Sequence, residues 1–129
     1  MRVFKTKWFV RYARRERIGN QNLCRAIKRA ELGIVDADLG GGLIKQRVPR
    51  VGQGRSGGYR MLIAYRPGER AVFLYGFAKN ERENIKDDEL ASFKDIAAGF
   101  LKTDPEHLQA ALQEGVLQEV PYNDQDNEK

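Results

Sequence analysis

The feature that most constrains the fold is a stretch from residue 43 to residue 79 with the composition of β-strands. Three segments in it are rich in β-branched or aromatic residues, namely residues 43–48, 59–66 and 71–77. Pro49 is expected to end the first strand, because proline cannot donate a hydrogen bond to a sheet. A glycine-rich loop leads to the second strand, and Pro67-Gly68 marks the turn before the third. We therefore expect three strands of one sheet.

The same stretch is strongly cationic. No carboxylate occurs from residue 39 to residue 68, and the cations of this window are Lys45, Arg47, Arg50, Arg55, Arg60 and Arg66. A surface of one sign attracts phosphate, and nucleic acid is the usual carrier of many phosphates. The alternative is a solvated basic face that only aids solubility. Side chains alternate along a strand, so a suitable register would place four cations on one face: Lys45, Arg47, Arg60 and Lys79.

Length and composition limit the remaining possibilities. The chain has 129 residues, which suits one domain. Cys24 and His107 are the only residues of their types, so the sequence favours neither a disulfide framework, nor a zinc site, nor a Ser-His-Asp triad. The loop G-Q-G-R-S-G-G lacks the lysine of a phosphate-binding Walker loop and precedes a strand rather than a helix. We expect no metal, no cofactor, no membrane span and a cytoplasmic location.

Charge divides the chain into two parts. Residues 103–129 carry a net charge of −6, whereas residues 1–102 carry +11. We expect a basic body over residues 1–102 and an acidic C-terminal helix and tail over residues 103–129. Such a tail either folds over the basic face or solvates the end of the chain, and the pattern favours neither.

Helices are predicted on both sides of the strands. Trp8, Phe9, Tyr12 and Ala13 recur at helical spacing after Thr6, a good N-cap residue. A second helix is expected between Asn20, which would cap it, and Gly33. The pattern therefore predicts an N-terminal α-hairpin preceded by a short edge strand. Helical spacing returns at residues 90–101, and Asp104-Pro105 begins a last helix. The predicted fold class is α+β.

Two motifs carry a resemblance to a known family. They are G-Q-G-R-S-G-G-Y-R at residues 52–60 and Y-G-F-A-K-N-E-R at residues 75–82. With the order α-hairpin, strands, helix, the chain resembles the RelE-like toxins of bacterial type II toxin–antitoxin systems, in the HigB-like branch. The resemblance implies a small twisted antiparallel sheet with the N-terminal α-hairpin on one face, C-terminal helices, and an open basic second face. It implies ribosome-dependent cleavage of mRNA, without a metal, and a cognate antitoxin, expected to be a helix-turn-helix protein.

The expected chemistry assigns roles to particular residues. Arginine cannot act as a base at ordinary pH, but it binds phosphate with two parallel hydrogen bonds. From their places in the matching motifs, Arg60 is the phosphate clamp and Lys79 the proton-transfer group. A lysine crowded by arginines has a lowered pKa, which suits that role. The expected supporting and RNA-binding residues are Arg47, Lys45, Arg50, Arg55 and Tyr75, of which Tyr75 is also a second candidate for proton transfer.

Two other functions fit the same residues. The superfamily includes ParE-like relatives that inhibit gyrase, so the basic face could bind a protein target. The chain could also be an inactive relative that only binds an antitoxin. Charge alone does not distinguish these two hypotheses from the hypothesis of a nuclease.

Overall fold

A computed structural model describes residues 1–50, 54–82 and 84–123, and the side chains of residues 54–57 lie outside that description. The strands are β1 (Arg2–Thr6), β2 (Ala37–Gly40), β3 (Leu43–Arg50), β4 (Gly54–Arg66), β5 (Arg70–Ala78) and β6 (Leu117–Val120). The helices are α1 (Lys7–Glu16), α2 (Asn20–Glu31), α3 (Asp87–Lys102) and α4 (Pro105–Gln113). This mixture confirms the α+β class and the N-terminal α-hairpin.

The strands form one sheet in the order β2-β3-β4-β5-β1-β6. Neighbours run antiparallel except β1 and β5, which are parallel. The prediction of β1 as an edge strand is wrong, because β6 pairs along its outer side. β6 was not predicted, yet its end residues Leu117 and Val120 are buried. The acidic C-terminal segment is therefore part of the sheet through Val120.

Two predicted strand ends are also wrong. β3 continues through Pro49 to Arg50, and β4 begins at Gly54 rather than Tyr59. The pairing register shifts between Val48 and Arg50. Proline is tolerated at such an irregularity, because the ladder is already interrupted there.

Local hydrogen bonds explain where the helices begin. The Thr6 hydroxyl accepts a hydrogen bond from the backbone N–H of Phe9 at 3.2 Å, which confirms the predicted cap of α1. Asp104 likewise caps α4 by accepting from the backbone N–H of His107 at 2.8 Å. Asn20 is not a cap, since Gly19 occupies that position and Asn20 is the first helical residue. None of the helices in the described ranges has the length and apolar character needed to cross a bilayer.

Both faces of the sheet carry a hydrophobic core. The prediction that the second face is open is therefore wrong for much of that face. α1 and α2 cover one face with a core that includes Phe9, Ile27, Met61, Ile63 and Phe73. The opposite face packs against α3 and α4 through residues that include Leu43, Leu62, Val72, Ala97 and Leu101. The alternation of β4 supplies apolar side chains to both cores, which is why helices cover both sides.

Gln46 is a fully buried polar residue on β3. Its side-chain oxygen accepts from the backbone N–H of Asp36 at 2.8 Å. Its amide nitrogen donates to the backbone oxygens of Ala26 at 3.0 Å and Ile34 at 3.1 Å. One side chain thus joins α2, the link that follows α2, and the sheet. Buried polar groups with all their partners in place fix a single arrangement of the elements around them.

We expect Gln46→Met to lower the free energy of unfolding by about 2 kcal/mol or more, because it keeps the volume and removes the three hydrogen bonds of a fully buried side chain. Urea denaturation followed by circular dichroism measures this. Gln21→Met is the matched control, since Gln21 is exposed on α2 and should change stability by less than about 0.5 kcal/mol. Equal effects of the two substitutions would contradict the role given to Gln46.

Two glycines should respond oppositely to alanine. A Cβ at Gly58 would lie 2.2 Å from the backbone oxygen of Val48, so Gly58→Ala requires β3 and β4 to move apart. We expect a loss of about 2 kcal/mol or more of unfolding free energy. Gly99, inside α3, has no atom near its Cβ position, and Gly99→Ala should add about 0.5–1 kcal/mol. Stabilisation by both substitutions would show that β3 does not approach Gly58 this closely.

Candidate nucleic-acid interface

The register of β3, β4 and β5 brings two arginines side by side. Arg47 pairs with Arg60, and Phe77 pairs with Arg60 from the other side. Lys45 pairs with Leu62, one step further along the same face. Cross-strand partners project from the same face of a sheet. The prediction of a shared face is therefore confirmed for Lys45, Arg47 and Arg60, whereas Lys79 lies beyond the end of β5. The face is the one that α3 partly covers.

Arg47 and Arg60, hereafter the arginine pair, differ in their surroundings. Arg60 is only 8% exposed, whereas Arg47 is exposed. Burial lowers the pKa of Arg60, the charge of Arg47 lowers it further, and Asp36 acts in the opposite direction. Like charges placed directly opposite each other in a sheet are destabilising. An anion that bridges the arginine pair would relieve that repulsion, so the pair is suited to bind phosphate.

The backbone of Arg47 is fixed by an ion pair that sequence analysis did not identify. Its N–H donates to the carboxylate of Asp36 at 2.7 Å, and its carbonyl oxygen accepts from Arg29 at 3.1 Å. Arg29 and Asp36 are themselves 3.0 Å apart. Burial raises the pKa of Asp36, but the hydrogen bond from Arg47 and then those from Arg29 outweigh it, and the net pKa is lowered. Asp36 is therefore a carboxylate that positions the β3 backbone.

Arg82 is a further cation of this face that was not predicted as a site residue. Its guanidinium lies 5.7 Å from the ring centroid of Phe77. It donates to the backbone oxygen of Asn84 at 3.0 Å and to the carboxylate of Glu89 at the start of α3. The hydrogen bond to Glu89 raises the pKa of Arg82, and the same bond lowers the pKa of Glu89. The signal was in the sequence, because Arg82 ends the motif Y-G-F-A-K-N-E-R.

Tyr75 is held by contacts within the protein. Its ring stacks on Trp8 with centroids 4.6 Å apart and contacts Phe93 at 5.1 Å. Its hydroxyl accepts from Arg82 at 3.4 Å. The ring and the hydroxyl of Tyr75 are thus both engaged within the protein. A nucleobase would have to compete with these contacts in order to stack on the ring.

The remaining predicted residues occupy three different places. Lys79 is exposed in the turn after β5, and its backbone N–H donates to the oxygen of Gly58 at 3.2 Å. Lys45 is half-buried, with its amine 3.4 Å from the side-chain oxygen of Asn84. The guanidinium of Arg50 lies over the ring of Tyr59, on the α1 side of the sheet and away from the arginine pair. The side chain of Arg55 lies outside the described residues.

Other residue types add little to this surface. In the described ranges, no group of three His, Cys, Asp or Glu side chains is placed to hold a metal ion. His107 pairs with Asp104 at the exposed start of α4, in a different part of the chain from the arginine pair. The chemistry available on this face is thus mainly that of arginine and lysine: binding phosphate, stabilising negative charge and, for lysine or the Tyr75 hydroxyl, transferring a proton.

Comparison with known proteins identifies the family. Residues 1–120 match the family model described as the RelE toxin of the RelE/RelB toxin–antitoxin system. A search of curated proteins found no match. The matched span runs from the start of β1 to the end of β6 and contains the arginine pair. This chain belongs to the family of RelE toxins, the toxin components of toxin–antitoxin systems.

Proposed function

We propose that this toxin is a HigB-like, ribosome-dependent endoribonuclease that cuts mRNA and so inhibits translation. The observation that carries the proposal is the arginine pair, in which a buried Arg60 lies opposite an exposed Arg47. The pair offers several guanidinium donors to one phosphate, in a site that is partly shielded from water. Donors fixed in advance in such a site stabilise developing negative charge better than water does.

The reaction that fits these groups is internal transesterification of RNA. The 2′-hydroxyl gives up its proton as its oxygen attacks the adjacent phosphorus, and the 5′-oxygen takes up a proton as its bond to phosphorus breaks. The products are a 2′,3′-cyclic phosphate and a 5′-hydroxyl. Arg60 would bind the non-bridging oxygens, whose negative charge increases in the transition state, and Arg47 with Lys45 would support it. In this proposal the enzyme needs no metal and no cofactor.

Lys79 is the candidate for proton transfer in this scheme. Arg47 and Arg60 cannot release a proton at ordinary pH. Lys79 lies just beyond Phe77, in the turn that follows the strand paired with Arg60. A single flexible amine is a weak acid–base catalyst for RNA cleavage. We therefore propose that the ribosome supplies the missing alignment of substrate, because correct positioning alone can remove a large part of a reaction barrier.

The same surface suggests how the toxin is neutralised. We propose that its partner is an antitoxin of the helix-turn-helix class that covers the arginine pair while the toxin is inhibited. The two proteins would meet in the cytoplasm, where mRNA is translated. A body of residues 1–102 with a net charge of +11 favours an acidic contact surface on that antitoxin.

We expect Arg60→Lys and Arg47→Gln each to lower the rate of mRNA cleavage about 100-fold or more, because each removes donors aimed at the phosphate. Growth arrest after induced expression, together with incorporation of labelled methionine, measures the loss. Arg66→Gln is the control, because it removes the same charge as Arg47→Gln. Arg66 is exposed at the opposite end of β4.

Arg47 keeps this test informative if Arg60 variants fail to fold, because Arg47 is exposed and its substitution leaves the cores intact. Full growth arrest by a folded Arg47→Gln protein would refute the role of the arginine pair. Arrest that persists with normal methionine incorporation would favour a protein target such as gyrase. The absence of arrest by the unmodified toxin would favour an inactive relative that only binds an antitoxin.

The role of Lys79 has its own test. Lys79→Arg keeps the charge but cannot transfer a proton, whereas Lys79→Ala loses both. We expect both variants to cut ribosome-bound mRNA about 100-fold or more slowly than the unmodified protein in single-turnover experiments. Near-normal cleavage by Lys79→Arg, with slow cleavage by Lys79→Ala, would mean that Lys79 contributes charge alone.

A further inference from the structure

A cleft lies on the α1 side of the sheet, between the end of α1 and the end of β3. Its volume is about 540 Å³, within the range of about 300–1,000 Å³ that is usual for small-ligand sites. The residues that form it include Arg15, Glu16, Arg17, Pro49, Arg50 and Tyr59. We call this site the arginine cleft. It is separate from the arginine pair and is not explained by the proposed cleavage chemistry.

Arg50 belongs to the arginine cleft rather than to the arginine pair. Its guanidinium lies 5.6 Å from the ring centroid of Tyr59. Tyr59 is buried in the core beneath α1 and α2, whereas Arg60, the next residue, points to the opposite face. The two groups of arginines therefore lie on opposite faces at the same end of β3 and β4. An extended strand of nucleic acid that bends around this end of the sheet would meet both.

Arg17 has a backbone conformation that favours glycine. Its φ of 59° makes it the one non-glycine residue with a positive φ among those the structure describes. Most helices that end in this left-handed conformation use glycine there, because a Cβ is strained. Arg17, whose side chain is exposed, instead forms part of the wall of the cleft. Residues with a strained backbone are concentrated at ligand-binding and active sites.

The charge of the arginine cleft favours an anion. Three arginines, Arg15, Arg17 and Arg50, line it, against the single carboxylate of Glu16. That carboxylate accepts hydrogen bonds from the Tyr59 hydroxyl at 3.1 Å and from Arg15 at 3.3 Å. Because Glu16 is engaged on both sides, Arg17 and Arg50 give the cleft a net positive charge. Arginine binds phosphate groups with good geometry.

We propose that the arginine cleft binds a phosphate ester, and that Arg15, Arg17 and Arg50 contact its phosphate group. This rests on the proposed function in one respect, since the expected source of the phosphate is the backbone of the RNA strand whose scissile phosphate occupies the arginine pair. The other source with the same chemistry is the phosphate of a free nucleotide. In either case the cleft contributes binding and takes no part in bond cleavage.

Arg17→Gly tests the proposal because it should affect folding and binding in opposite directions. The substitution relieves the positive-φ strain, so we expect the melting temperature to rise by about 2–6 °C. It also removes one of the side chains that bind the phosphate. The affinity for a fluorescein-labelled single-stranded RNA of twelve nucleotides should fall several-fold. The slope of log affinity against log salt should decrease by about 0.7 for the lost contact.

Arg50→Gln should weaken RNA binding in the same way, and Arg66→Gln is the charge-matched control outside the cleft. In a second set of titrations, adenosine monophosphate replaces the RNA. Weaker RNA binding for Arg17→Gly and Arg50→Gln, but not for Arg66→Gln, would support a strand phosphate. Loss confined to the titration with adenosine monophosphate would support a free-nucleotide site.

Equal effects of all three substitutions would overturn the proposal, as would no effect on either ligand. Binding is measured here without ribosomes, so failure of this proposal leaves the cleavage assays of the arginine pair unaffected. Conversely, a cleft that binds phosphate in a protein that cuts no mRNA would refute the nuclease and leave the arginine cleft in place.

Discussion

One extra residue in β5 decides which side chains reach the arginine pair. Leu62 pairs with Tyr75, whereas the next residue, Ile63, pairs with Phe73, so Leu74 is the additional residue of a bulge. Such a bulge reverses the alternation of the strand beyond it. Phe73 therefore packs beneath α1, with its ring centroid 5.2 Å from that of Phe9. Phe77 emerges on the opposite face, beside Arg60.

The same bulge allows α1 to lie close to the sheet. Gly76 follows the bulge on the α1 side, where a Cβ would lie 2.8 Å from the ring of Tyr12. The aromatic residue on the other face, Tyr75, closes the gap between Trp8 and Phe93. α3 then covers the apolar part of its face, while Arg47 and Lys79 remain exposed. The site thus depends on a packing constraint in the strand next to the one that carries Arg60.

Sequence analysis predicted the elements with strong local signals. The caps at Thr6 and Asp104 and the apolar spacing of α1 specify their helices with little help from the rest of the chain. Successive side chains of β3 also sufficed to place Lys45 and Arg47 on one face.

The features that sequence analysis missed depend on residues distant in the chain. β6 is four residues long and is a strand only because β1 offers it an edge, and the bulge at Leu74 leaves no mark in the pattern. Regular alternation would place Phe73, Tyr75 and Phe77 on one face, but the bulge turns Phe73 to the α1 side. By contrast, Arg50 follows Arg47 by three residues, so simple alternation already places it on the opposite face, over Tyr59.

In the proposed function, the arginine pair acts on mRNA held by the ribosome. The most direct measurement is primer extension on an mRNA translated in a cell-free bacterial system to which the purified toxin is added. We expect new 5′ ends within codons of the translated region, and none when ribosomes are omitted. Intact mRNA in the presence of translating ribosomes would contradict it, as would identical cuts in mRNA that carries no ribosome.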